Sequence, residues 1–166
     1  MDLDTALTGK PAEGASATDI LRADHREVRR LFREFRSADG DAHVQRVTAQ
    51  SICLQVELHD TIERDVFYPA ITDVDAAWTP HALEAHDRIA NAVERVRSRA
   101  DADEALDEPV QKLEALIEDH VREEEDRLFP KVEAQHAGSL RELGRALIER
   151  KEELTRSTES LEGPAT

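Results

Sequence analysis

Apolar positions recur along the chain at steps of three and four, the spacing of one face of an α-helix. The first stripe is Leu21, His25, Val28, Phe32 and Phe35, and a histidine stands within it. Ahead of it, Ser16 or Thr18 can cap the helix, and Ser16-x-x-Asp19 has the form of a capping box. Ser37–Gly40 closes the helix, with Gly40 suited to the left-handed C′ position. Asp41 can cap a second helix, whose stripe reads Ile52, Val56, His59, Glu63 and then Val66 or Phe67, until Pro69 breaks the pattern. Residues 71–79 connect, with Trp78 placed over one end of the helices. Thr79-Pro80 predicts the third start, with Thr79 as N-cap and Pro80 in the first helical position. That helix turns Ala82 or Leu83, His86, Ile89, Val93 and Val96 to one side. An acidic turn over 101–108 follows, with Asp107 as the cap of a fourth helix carrying Leu113, Ile117, His120, Glu124 and Leu128. After Pro130 a short connection through Gly138 leads to a fifth amphipathic helix with Leu140, Leu143, Leu147, Ile148 and Leu154 on one side.

Four long helices joined by short loops predict an all-α fold, an up-down-up-down four-helix bundle with an additional C-terminal helix. The expected division is a flexible lead-in over 1–16, the bundle over 17–130, and a C-terminal helix with a frayed tail over 131–166.

Polar groups interrupt the apolar seams, and they do so twice in the same way. His59-x3-Glu63 and His120-x3-Glu124 each precede an apolar-aromatic pair and a proline. His59 to His120, Glu63 to Glu124 and His25 to His86 share one offset of 61 residues. Residues i and i+4 share a helix face, so each His-Glu pair points one way. Burying such groups unpaired costs several kcal/mol. A transition metal of iron or zinc type accepts imidazole and carboxylate together. Two helix pairs related by a pseudo-twofold would each give two histidines and one glutamate, which suits two metals bridged by the two glutamates.

Composition narrows the partners. The 22 Lys+Arg against 37 Asp+Glu leave a net charge of −15, which repels phosphate backbones and anionic lipid. Nucleic acid and membrane are therefore disfavoured. The single cysteine, Cys53, lies in an apolar run and is expected to be a small buried hydrophobe. No run approaches the ~18 apolar residues of a membrane span. The N-terminal stretch is acidic and lacks the apolar core of a signal peptide, so the expected location is the cytoplasm. No nucleophile triad, Gly-rich phosphate loop or nicotinamide fingerprint is present, so any catalysis should be metal-based.

Other polar residues are weighed against that set. Asp60 and Glu123 adjoin the ligand positions but sit about 100° off their face. Tyr68 is expected to pack in the core with its hydroxyl at the rim. His43 and His136 fall near helix ends, as surface residues. The charged runs Arg29-Arg30, Glu123–Asp126 and Glu149–Glu153 read as solvated faces with i,i+4 pairs.

From His25 to Pro130, the order H…HxxxE…H…HxxxE resembles the hemerythrin-like (HHE cation-binding) family. The resemblance implies a non-haem di-iron centre with an oxo or hydroxo bridge. His25 and His59 would hold one iron, His86 and His120 the other, and Glu63 and Glu124 would bridge. It implies a small ligand, O2, peroxide or NO, and leaves an enzyme on the same site as the alternative: peroxide disproportionation, iron oxidation or iron-centre repair. A metal-free helical interaction module is the bland alternative, with the fifth helix docking a partner or simply covering the bundle. The chain departs from the oxygen carriers of that family. Where they place a further histidine, four residues before or after the third-helix one, Ala82 and Ala90 stand here. His81, five residues before His86, is about 140° round the helix from it. The carriers' last carboxylate is an aspartate five residues after its histidine, whereas Glu124 follows His120 by four. Such an undersaturated site favours reactivity or metal exchange over clean reversible O2 carriage.

Overall fold

Helix α1, Ala17–Ser37, begins at the expected capping box. The Asp19 N–H donates to Ser16 Oγ and the Ser16 N–H to Asp19 Oδ2, each at 3.2 Å. It ends at Ala38, and Gly40 takes a left-handed φ of 85° two residues past that cap, one further than expected. Asp41 accepts from the Val44 N–H at 3.1 Å and starts α2, Ala42–Ile62. This computed structural model describes residues 14–161, so most of the 1–16 lead-in and the tail Glu162–Thr166 lie outside it. Among the described residues there are five helices and no strand.

Helix α2 does not stop at Ile62. It runs on through a π turn, Glu63–Phe67, and a last turn, Tyr68–Ala70. Helix α4, Asp107–Glu123, does the same through Glu124–Leu128 and Phe129–Gln135. Each π turn opens at the glutamate of its His-x3-Glu, and the Tyr68 and Phe129 N–H groups reach back to the carbonyls of Glu63 and Glu124. Pro69 and Pro130 give the reason. A proline in regular α geometry drives its ring into the carbonyl four residues back; a turn wider by one residue relieves that clash.

Two helix starts differ from the sequence reading. Helix α3, Trp78–Asp101, begins before Thr79, because Asp75 accepts the Ala77 N–H on its side chain and the Trp78 N–H on its carbonyl. Pro80 then falls in the first turn, where an N–H has no partner within the helix anyway. Asp107 is the first helical residue of α4 and not its cap. It acts with Glu108 through negative charge at the helix N-terminus.

Helix α1 packs along α2, α2 along α3, and α3 along α4. Helix α5, Leu140–Leu161, lies on α1, α2 and the first π turn, with Leu140 and Leu147 buried. Two apolar clusters fill the interior. One gathers Phe32, Phe35, Ile52, Val93 and Leu113; the other gathers Leu21, Phe67, Trp78, Phe129 and Val132. Trp78 is buried within the second cluster. Cys53 is buried, and burial pushes its thiol up to about 11, consistent with a hydrophobic role. No described helix is long and apolar enough to cross a membrane.

Candidate metal centre

Four helices carry six side chains into one layer beside these clusters. Glu63 and Glu124 are fully buried, His25, His86 and His120 nearly so, and His59 is slightly more open. On one side, His25 Nε2 lies 3.2 Å from His59 Nε2. On the other, His86 Nε2 lies 2.8 Å from His120 Nε2. Each glutamate spans both pairs. Glu63 Oε2 is 3.2 Å from the Nε2 atoms of His59 and His86, and Glu124 Oε2 is 3.4 and 3.6 Å from those of His25 and His120. Donors sharing one first-row ion at about 2.1 Å stand about 3 Å apart when at right angles. His25, His59, Glu63 and Glu124 keep their donor atoms within 4.8 Å of one another, and so do Glu63, His86 and His120.

The outer ring nitrogens explain what the inner ones offer. His25 Nδ1 is 2.8 Å from Glu125 Oε1, His59 Nδ1 is 3.5 Å from Asp24 Oδ2, and His86 Nδ1 is bonded to Asp60 Oδ1. A carboxylate only accepts, so each of these Nδ1 atoms carries a hydrogen and the neutral ring turns a lone pair inward through Nε2. Inside, Glu63 Oε1 and Glu124 Oε2 are buried and accept no hydrogen bond. Lone pairs and carboxylate oxygens therefore converge on one another, an arrangement that repels itself unless a cation or protons lie between.

Without metal, protons fill that role. Burial opposes charge on His25, His59 and His86, but the facing carboxylates win. Glu124 and Glu125 raise His25, Glu63 and Asp24 raise His59 well above the usual range, and Asp60 and Glu63 take His86 to about 9. Glu63 is held well below the usual carboxylate range, against its burial, by the His59 charge. His120 goes the other way, lowered first by burial. The protons on the inner nitrogens mark the places of a cation, which would release them on binding.

All six expected residues thus meet. Several neighbours depart from expectation. The Tyr68 hydroxyl is not at a rim but inside the layer, 2.8 Å from Glu124 Oε1 and 3.0 Å from His86 Nε2. The π turn takes five residues to come round where an α turn takes four, which brings Tyr68 back over Glu63 and inward. Asp60 is a partner of His86 and Arg64, and Glu123 pairs with His81 at 2.6 Å on the surface. Within the runs read as solvated, Arg30 does pair with Glu27 and Glu34 along its own helix. Arg29 instead reaches Glu118, Glu125 holds His25, and Lys151 Nζ reaches Asp24 Oδ1 at 2.5 Å. Asp24 had a signal in the sequence: it stands three residues after Leu21 and four before Val28, a carboxylate within an apolar stripe. His43 is exposed, as expected, whereas His136, which caps α4's last stretch, is half-buried beside Asp73.

Beside the layer a cavity of about 30 Å³ is lined by the four histidines, Asp60 and the apolar Val28, Val56, Ile89, Ile117 and Val121. It has room for one or two waters or one diatomic molecule.

A family model described as hemerythrin HHE cation binding domain matches residues 16–132. A protein from Nostoc sp. (strain PCC 7120 / SAG 25.82 / UTEX 2576), named DNA nickase, is 24% identical over 122 residues, which is 73% of this chain and 34% of that protein. The chain thus spans about a third of the length of the curated relative it matches. No solved structure matches the chain significantly.

Proposed function

Since the chain belongs to the hemerythrin HHE cation-binding family, we propose that it is a non-haem di-iron protein that binds or responds to O2, peroxide or NO in the cytoplasm. His25 and His59 would hold one iron, His86 and His120 the other, with Glu63 and Glu124 between them in an up-down-up-down four-helix frame. The observation that carries this reading is the convergence of inward lone pairs on two buried carboxylates whose Glu63 Oε1 and Glu124 Oε2 accept no hydrogen bond. Iron there would supply redox change and open coordination positions for a small ligand. The chain's own residues set the conditions. Glu125, Asp24 and Asp60 fix three imidazoles in the ligating tautomer. Val28, Val56, Ile89, Ile117 and Val121 wall a cavity sized for a diatomic. Tyr68 offers a hydroxyl donor to Glu124 within the layer.

Adding O2, peroxide and NO separately to the reduced, iron-loaded protein tests this. A stoichiometric spectral change with one of the three supports binding. No change with any of them contradicts it.

An enzyme on the same site is the second reading, favoured by the few protein ligands per ion. Peroxide turnover that disappears in Glu63→Ala would select it. The relative's printed name raises DNA nicking as a third chemistry. A net charge of −15 repels a phosphate backbone, so intact supercoiled plasmid after incubation with the loaded protein is the expected result.

A further inference from the structure

Three of the four inner imidazoles have a carboxylate at Nδ1; His120 has none among the described residues. The internal repeat locates what is missing. His120 corresponds to His59, whose outer nitrogen faces Asp24, and the residue 61 beyond Asp24 is Ala85. In the first half, Asp24 stands between the imidazole of His59 and the ammonium of Lys151. In the second half, Ala85 and His120 both line an open cavity of about 510 Å³, and Arg88, one turn on from Ala85, lines it too.

The lining holds three arginines, Arg88, Arg122 and Arg127, against three carboxylates, Asp119, Glu123 and Asp126. Glu123 is taken up by His81 at 2.6 Å, and Asp119 by Arg122 at 3.6 Å. Arg88, Arg127 and Asp126 make no ion pair among the described residues, which leaves the Arg88 guanidinium open to an anion, while the Arg127 charge acts on Glu123. Arg127 instead lies 6.0 Å over the Trp78 ring.

We propose that this cavity binds a small carboxylate, which accepts a hydrogen bond from His120 Nδ1 and pairs with Arg88, as Asp24 does between His59 and Lys151. The chemistry asked of the ligand is a planar anion with two acceptor oxygens, one for the ring N–H and one for the guanidinium fork. A bound carboxylate would fix His120 with Nε2 facing inward, and so couple the supply of a small organic acid to the inner layer.

Acetate is the probe, titrated into the full metal-free chain labelled with 15N-histidine, with chloride at equal ionic strength as the control. Binding needs only the folded chain, so a protein that took up no iron would still give an answer. The expected result is a saturable shift of the His120 ring nitrogens with acetate and not with chloride. Ala85→Asp supplies the carboxylate internally. It should start with the His120 resonances already shifted and weaken acetate binding by about tenfold or more, the size of losing one charge-assisted pair. Arg88→Gln, on an exposed position, should weaken it several-fold while leaving the starting His120 resonances in place. A His120 response to acetate that is absent, or matched by chloride, overturns the proposal. So does acetate affinity unchanged in Arg88→Gln, whatever the fate of the Ala85→Asp fold.

Discussion

The Tyr68 hydroxyl donates to Glu124 Oε1 at 2.8 Å and so ties the end of one helical hairpin to the glutamate of the other. It lies also 3.3 Å from Glu63 Oε2. Burial, and then the charges of Glu124 and Glu63, push the phenol well above its usual range, so it remains a donor. Tyr68→Phe is expected to leave Glu124 Oε1 without a partner and destabilise the metal-free chain by about 1–3 kcal/mol. Iron loading should shrink that loss, because a cation serves the same oxygens. Urea unfolding of both forms measures it, and equal stability of variant and native chain in the metal-free form would contradict the assignment.

Helix α5 reaches the layer through Lys151. Lys151 holds Asp24, which holds His59, and α5 lies beyond the residues the family model matches. Lys151→Met is expected to weaken iron affinity by about tenfold, the lower end of what a lost outer partner costs. Gly144→Ala should do the same by displacing the helix. A methyl there would stand 2.5 Å from the Ala15 carbonyl oxygen and 3.2 Å from the Ala17 amide nitrogen, and neither backbone atom can give way easily. Competition against a chelator reads the affinity. Unchanged affinity in both variants would make α5 a mere cover.

Protons and metal compete for the same nitrogens, which sets a pH dependence. In the folded, metal-free chain His86 is raised to about 9, and His59 is also raised, while a free imidazole titrates at 6.5. A raised value contributes stability that is complete below about 6.5 and is lost as pH climbs through about 9. Metal-free stability is therefore expected to fall across that window. Iron affinity should rise across it, since binding releases the protons. Denaturation and iron competition at a series of pH values check both, and an affinity that declines with rising pH would count against the ligand set.

Much of this was legible before any coordinates. The His-x3-Glu pairs share a helix face by simple periodicity, and the 61-residue repeat told that two such faces would meet. The stripes located all five helices. What stayed hidden depends on the third dimension. A proline signals a broken pattern but not a π turn, so the inward swing of Tyr68 could not be counted off at 100° per residue. The partners of His25 and Asp24 lie 100 and 127 residues away, and a charged run looks the same whether it faces solvent or another helix. The start of α3 went to Asp75 because a side chain that accepts two residues on competes with a Thr-Pro start.

Metal content is the most direct measurement of all. The full chain, expressed with ample iron and purified without chelators, is expected to hold about two irons per chain, and a His59→Ala/His120→Ala double variant is expected to hold none. Native protein that emerges folded and iron-free, or a double variant that retains the native iron content, would contradict the assignment of these six side chains to a di-iron centre.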